Sequence, residues 1–302
     1  MRLGKGSCQG TFGELVQGVI YERPFLITLP IPYLRSEAVF FPNPTASEIT
    51  MVDSKIKALN AGRLLTQQFG LPGGGHLEIL SNIPSGKGMA SSSADIVAAL
   101  KAISNCYSFS LTKEMISALA VKIEPTDGVM YDEVVAYDYM NGELLEKFGT
   151  MPPFILVGID FGGVVDTIQF NQVKKEYSQH DRECLLEAYE WVRKGFKSKN
   201  LSFICKGTTI SARVNQKLLP KPYFYEFEKL AKDYQGGIVV AHSGTVMGIL
   251  IDGNITNRNE FILTLSREIS YIIKNSTKEV FHFVSEGEEY PCQLKTKMLF
   301  IM

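Results

Sequence analysis

The sequence predicts an α+β fold in two parts. Three observations carry this reading. Between residues 76 and 103, an alternating strand, a loop rich in glycine and serine, and a helix-patterned run follow one another. Met151-Pro152-Pro153 marks a joint near the middle of the chain. Beyond it, strands and helices alternate in a βααβ-type pattern, so the expected domains are 1–150 and 151–302.

Taken in order, Gly6 to Gly18 holds four glycines within a short span, which suggests tight turns passing close to something. From the residues alone it reads as a hairpin with glycine bulges. Val19 to Leu34 and Glu37 to Phe41 read as two strands, with prolines at 24, 30 and 32 marking edges or ends. Ser54 to Phe69 has helical spacing and ends at Gly70, a C-cap, before Leu71-Pro72. Gly73-Gly74-Gly75 reads as a turn, since no helix start follows it.

His76-Leu77-Glu78-Ile79-Leu80 alternates as a half-buried strand, and Ala94 to Ile103 repeats apolar residues at helical spacing. Between them lies Pro84-Ser85-Gly86-Lys87-Gly88-Met89-Ala90-Ser91-Ser92-Ser93. Gly86 and Gly88 permit unusual backbone conformations and close approach of a ligand. Ser91, Ser92 and Ser93 fall at the helix start, where unpaired N–H groups and the positive end of the helix dipole make room for an anion. Lys87 adds a mobile positive charge. A serine hydroxyl here, that of Ser92, can complete the coordination of magnesium carried by a nucleotide. Gly86-Lys87 is followed by Gly88 and lacks the earlier glycine, so this is not a Walker A loop. The plainer alternative is a turn with a serine N-cap.

Thr112 reads as the N-cap of a helix reaching about Ile123, with Glu114 in its first turn. Glu124-Pro125-Thr126-Asp127-Gly128 then places two carboxylates at the unfavourable end of that helix's dipole. Phosphoryl transfer to an alcohol asks for a carboxylate on a metal and often a second one on the attacking hydroxyl. The alternative is a solvated Asp-Gly turn. Glu133 to Tyr139 reads as a strand and Asn141-Gly142 as a hairpin turn.

In the second half, Phe154 to Asp160 is a nearly continuous apolar strand, and Gln179 to Lys197 and Asn200 to Leu218 read as helices. Lys217-Leu218-Leu219-Pro220-Lys221-Pro222 follows. Its basic residues suit a carboxylate or phosphate, although lysines at a proline turn are commonly just solvated. Tyr223 to Tyr234 reads as a helix. Ile238-Val239-Val240 and Val246 to Ile251 are strands flanking Ala241-His242-Ser243-Gly244-Thr245. A helix near Asn257 to Lys274 and strands near Glu279 to Val284 and Met298 to Ile301 complete the pattern.

Composition excludes several classes of function. With 302 residues, 45% hydrophobic and 21% charged, the chain can build two cores. A net charge of −1 offers no field for nucleic acid or anionic lipid. No segment approaches the roughly 18 uninterrupted apolar residues of a membrane span, so a cytoplasmic protein is expected. Five cysteines without CxxC spacing and four dispersed histidines suggest neither a disulfide framework nor a zinc site.

Pro84-x-Gly86-x-Gly88-Met89-Ala90-Ser91-Ser92-Ser93-Ala94 resembles the second motif of the GHMP kinases, which include galactokinase, homoserine kinase and mevalonate kinase. Met89 and Ala90 stand where that superfamily usually has Leu and Gly. Gly13-Glu14 resembles its first motif, beside the acceptor substrate, and Ser243-Gly244-Thr245 its third, a loop packed under the phosphate loop. Gly10-x-x-Gly13-Glu14-Leu15-x-Gln17-Gly18, Lys87-Gly88-Met89-Ala90-Ser91-Ser92 and the 217–222 run are similar to one branch, the L-threonine kinases of cobalamin biosynthesis. Phe12 stands where that branch has cysteine.

The resemblance implies an N-terminal domain like ribosomal protein S5 domain 2, a ferredoxin-like C-terminal domain, and ATP and magnesium between them. It implies Glu124 and Ser92 on the metal and Asp127 as base, with Asp132 or Glu133 as substitutes. It also implies Gly13, Glu14, Gln17, Arg213 and Lys221 around a small hydroxylated amino acid, in a monomer or homodimer. Lys87, residues 84–93, Ser243 and Gly244 fall to the nucleotide. Phosphorylation of the L-threonine hydroxyl is the activity expected; a kinase of another small alcohol, a non-catalytic nucleotide sensor and a decarboxylase are the alternatives. His242 is expected to shape its loop, since its neighbours in sequence supply no partner.

Overall fold

The structure is a computed structural model that describes residues 2–52, 54–163, 175–274 and 280–285. It opens with two long antiparallel strands, β1 (Gly4–Ile20) and β2 (Arg23–Pro42), paired from Gly4↔Phe40 to Ile20↔Arg23. The turn between them is Tyr21-Glu22, with φ of 48° and 61°. Both are left-handed, as a tight two-residue hairpin requires, although neither is the Asn or Gly that such a turn favours.

This corrects two expectations. Gly6 to Gly18 is one strand, not a hairpin, and its glycines accompany register irregularities at Gln9/Gly10, Thr11/Glu14 and Glu14/Val16. The region from Arg23 to Phe41 is likewise one strand rather than two. Its prolines 30 and 32 are tolerated because β4 (Gly75–Ser81) pairs β2 only at 36–42 and β5 (Val134–Asp138) only at Leu26 and Ile27. Between those stretches no third strand claims the missing N–H groups.

With β3 (Ile49–Thr50), β6 (Glu143–Gly149), β7 (Phe154–Asp160), β8 (Gly237–Val240), β9 (Val246–Asp252) and β10 (Val280–Val284), these strands form a single ten-stranded sheet. Its order is β10-β7-β9-β8-β1-β2-β4-β3, with β5 and β6 branching from β2. Its two halves meet at β1 and β8 through one register pair, Glu14↔Val240. The expected Asn141-Gly142 turn joins β5 to β6, with Gly142 at φ 75°.

Helices α1 (Ile56–Phe69), α2 (Ser91–Cys106) and α3 (Lys113–Val121) cover the first half; α1 ends at left-handed Gly70, and Thr112 caps α3 by accepting from Met115 N–H at 3.2 Å. Buried residues fill almost the whole circumference of α2, including Ile96, Val97, Leu100 and Ile103. It is therefore a central helix, held between the sheet and its neighbours. Helices α4 (Gln179–Ser198), α5 (Leu201–Asn215), α6 (Phe224–Asp233) and α7 (Arg258–Ile272) belong to the second half.

Two apolar cores result. Along β7, Phe154 and Leu156 join the first core, while Ile155, Val157 and Ile159 join the second, against α6 and α7. Alternate side chains thus serve opposite faces, which is why this strand reads as continuously apolar. The α+β class agrees with the sequence reading. Residues 298–301 lie outside the described residues, and among those described no helix is long and apolar enough to cross a membrane.

Candidate active site

The loop between β4 and α2 takes three left-handed steps, at Gly86 (φ 72°), Gly88 (φ 80°) and Ala90 (φ 59°). Ala90 occupies the N-cap position of α2, and no side chain caps the helix. The serine N-cap alternative is thereby overturned. The three serines point elsewhere: Ser91 Oγ donates to Ile83 O at 3.4 Å, Ser92 Oγ to Glu124 Oε1, and Ser93 Oγ to Asp127 Oδ2 at 3.0 Å. The first turn of α2 thus presents backbone N–H groups and a positive dipole end to the pocket.

Backbone bonds fix the loop from below. Thr11 N–H donates to Met89 O at 3.1 Å, Gly13 N–H to Gly88 O at 3.4 Å, and Thr245 N–H to Lys87 O at 3.0 Å. The 241–245 loop lies directly against it: a Cβ on Gly88 would fall 2.3 Å from Ala241 Cβ, and one on Gly244 2.1 Å from Lys87 O. Only glycine allows that approach.

Lys87 is not the mobile charge expected. Its Nζ lies 2.7 Å from Asp160 Oδ2 and donates to Gly163 O at 2.7 Å. Asp160 also accepts from Thr245 Oγ1, so Lys87 straps the loop to β7 and to the 241–245 loop.

Glu124 and Asp127 sit just past α3, facing α2. Glu124 is buried and accepts from both Ser92 Oγ and Lys57 Nζ, the latter reaching in from α1. Part of Asp127 faces the pocket, yet protein surrounds its carboxyl. Burial raises its pKa to about 6, against the opposing hydrogen bond from Ser93 and with further help from the charge of Glu124. Asp127 N–H also donates to Ser93 Oγ, at 3.2 Å. Asp132, by contrast, points to solvent and pairs with Lys113 at 2.5 Å, so the structure does not bring it to the pocket.

The same pocket, about 370 Å³, continues past Asp127 to Glu14, Tyr139, His242 and Ser243. Glu14 is 4% exposed, and its Oε2 has no hydrogen-bond partner among the described residues. Its pKa is raised well above the usual carboxylate value by burial and then by the charge of Asp127, against a hydrogen bond from the His242 backbone. Gln17 donates from its backbone N–H to Ser211 Oγ at 3.0 Å and from Nε2 to Val240 O at 3.2 Å. Gly13, at φ 60°, carries the strand through this crossing, because a Cβ would lie 2.7 Å from the Val240 carbonyl.

His242 is better partnered than its sequence neighbours suggest. Its Nδ1 lies 3.3 Å from Gln17 Oε1, its Nε2 lies 3.0 Å from Lys175 Nζ, and its ring meets Tyr139 edge-on at 5.0 Å. Burial, then the charges of Lys175 and Lys221, hold its pKa well below the ordinary value. The ring is therefore neutral, with Nε2 accepting from the lysine and Nδ1–H donating to Gln17. Lys175 and Lys221 are themselves pushed down to about 8 by burial.

Arg213 is not brought to this pocket. It is two residues beyond Ser211 on α5, about 200° round the helix, and Ser211 is the one that faces β1. Its half-exposed side chain pairs with Glu228 and lines a separate surface groove of about 1060 Å³. Lys57, Tyr139, Asp160 and Lys175 were not singled out from the sequence. Lys57 is one more lysine on a helix, and nothing local marks any of the four.

The donor set fits magnesium held together with a nucleotide. Glu124 and Ser92 offer hard oxygens, and no group of three or more His, Cys, Asp or Glu among the described residues forms a protein-only cage. The glycine-lined loop and uncapped helix start fit phosphate oxygens.

The fold is of the GHMP kinase type, and residues 56–136 match the family described as GHMP kinases N terminal domain, a span that holds the 84–93 loop, α2, α3, Glu124 and Asp127. The fold is shared with homoserine kinase from Cytophaga hutchinsonii, at a TM-score of 0.71 and 13% identity over 93% of this chain and 94% of that one. More specifically, the chain is 28% identical to the L-threonine kinase of Citrobacter freundii over 253 residues, 82% of this chain and 86% of that protein. It is 27% identical to the L-threonine kinase of Salmonella typhimurium over 249 residues, 81% and 82% of the two chains. GHMP kinases use ATP, so ATP is the nucleotide implied for the loop.

Proposed function

We propose that this protein is an ATP-dependent kinase that phosphorylates the side-chain hydroxyl of L-threonine, giving L-threonine O-3-phosphate for the cobalamin nucleotide loop. The observation that carries the reading is the position of Asp127. Its carboxyl, raised to about 6, lies beside the uncapped start of α2 and in the same pocket as the buried Glu14. A base tuned near neutral pH, next to a phosphate cradle, suits proton removal from an alcohol. The similarity to two L-threonine kinases along most of the chain supports the choice of acceptor.

In this reading the backbone N–H groups of the loop and of the first turn of α2 hold the phosphate oxygens. Ser92 and Glu124 would hold magnesium, which when bound would neutralise charge on the phosphates. Lys57, now on Glu124, stands close enough to add its charge there. The acceptor oxygen forms a bond to the γ-phosphorus as the bond to the β–γ bridging oxygen breaks, and Asp127 takes the hydroxyl proton. Lys87 positions the loop through Asp160 rather than acting on the phosphate alone. Glu14 and Gln17 orient the acceptor.

The test is ADP release with ATP and magnesium across L-threonine, L-serine, L-homoserine and mevalonate, with products identified by mass spectrometry. Threonine-dependent release giving O-phosphothreonine is expected. Preferential turnover of another member, or a decarboxylated product, would replace this reading.

A further inference from the structure

Two buried charges stand near the acceptor end of the pocket, Glu14 and Lys221, and neither has an ion-pair partner among the described residues. On one side is Glu14, buried, with an oxygen that no described group satisfies and with Asp127 as a neighbouring like charge. On the other, outside the residues that line the pocket but near enough to His242 for its charge to act on that ring, is Lys221, 5% exposed, whose Nζ reaches the Leu219 carbonyl at 3.4 Å and which has no carboxylate at ion-pair distance among the described residues. Lys175 stands with it around His242, its Nζ also 3.3 Å from Tyr139 Oη.

Burying a lone ammonium or an unsatisfied carboxylate costs several kcal/mol, so such groups persist where a ligand completes them. The basic side is also rigid. Gln216 clamps the Lys221 backbone from both sides, accepting from its N–H at 2.8 Å and donating to its carbonyl at 3.0 Å. One turn beyond Ser211 on α5, Asn215 has a buried Nδ2 with no partner among the described residues. Neutral His242 is bonded to Gln17 on one side and to Lys175 on the other.

We propose that the two sides read the two charges of an α-amino acid: Glu14 receives the acceptor's ammonium, and Lys221, with Lys175 beside it, receives its carboxylate. This rests on the kinase reading above and names how that site recognises its acceptor class. An ammonium next to Glu14 also relieves the repulsion between Glu14 and Asp127, leaving Asp127 to the hydroxyl. An acceptor lacking either charge leaves one side buried and unpaired, and sites of that kind reject such analogues strongly.

The test uses the full chain with ATP and magnesium, and compares L-threonine with threoninol, which lacks the carboxylate, and with 3-hydroxybutyrate, which lacks the amine. Binding is followed by the thermal midpoint and turnover by ADP release. Wild type should bind L-threonine at least ~100-fold more tightly than either analogue. Lys221→Met should cost L-threonine about 100-fold, mainly in KM, and change threoninol less than about 3-fold, while Lys221→Arg restores most of the preference. Glu14→Gln should show the reverse pattern, sparing 3-hydroxybutyrate.

Without acceptor, Lys221→Met should raise the thermal midpoint by about 2–4 °C, a gain that a lysine kept for stability would not give. Equal losses for threoninol and L-threonine in Lys221→Met, or wild type stabilised by no hydroxylated α-amino acid at all, would overturn the inference. Carboxylate-dependent binding of L-serine or L-homoserine in place of L-threonine would uphold it while removing the threonine assignment.

Discussion

The two ends of the pocket are built on opposite plans. The proposed nucleotide end comes from one continuous stretch, residues 83–93, whose backbone is pinned at Lys87, Gly88 and Met89 and whose serines 91, 92 and 93 are engaged. The proposed acceptor end has Glu14, Tyr139 and His242 on the pocket wall and Gln17, Lys175 and Lys221 around His242, drawn from five separate regions, and leaves Glu14 Oε2 without a partner among the described residues. The first holds a shape with main-chain geometry and the second holds charges in low-dielectric surroundings. Changes to the first should therefore act through conformation, and changes to the second through solvation.

The sharpest test of this contrast is Asp127, which lies where the two ends meet. Asp127→Asn should lower kcat by ~10²–10⁴-fold with ATP affinity unchanged, measured by steady-state kinetics and nucleotide titration. In wild type the base must be ionised, so kcat/KM should rise as pH increases through about 6 and level off above it; the residual rate of the variant should lack that rise.

A smaller loss is expected from Gly88→Ala. The new methyl would meet Ala241 at 2.3 Å on a backbone already at φ 80°, so the loop must shift. This should cost about 1–3 kcal/mol in chemical denaturation and weaken ATP while leaving acceptor preference intact. The smallest effect belongs to Arg213→Ala. Its pair with Glu228 is more than half exposed on the arginine side and far from the pocket, so stability should change by about 0–1 kcal/mol and kcat/KM hardly at all.

Legibility in the sequence follows the same division. The strand, loop and helix at 76–103, the Thr112 cap, the Asn141-Gly142 turn and the hairpin around 241–245 are all local, and local residue chemistry announces each. The β1–β2 hairpin is harder to see because its turn, Tyr21-Glu22, lacks the usual residues and its prolines look like strand ends. Helical pattern shows that α5 has a buried face but not what it is buried against, so the sequence places Arg213 at the acceptor although it is Ser211 that faces β1. Lys57 and Lys175 acquire meaning only through Glu124 and His242, 67 residues away in each case.

One narrow seam has a wider consequence. Among the described residues, the two halves of the sheet share one register pair, Glu14↔Val240. Glu14 and Asp127 belong to the first half, and Lys175, Lys221 and His242 to the second. The pocket is thus a fixed calliper, its halves also tied through Gln17–Ser211 and Lys87–Asp160, with opposite charges on its jaws. On the proposed reading of the acceptor, what such a calliper gauges is the distance from amine to carboxylate, which is the same in every α-amino acid. The choice between threonine and its longer relatives then falls to the reach of the hydroxyl toward Asp127.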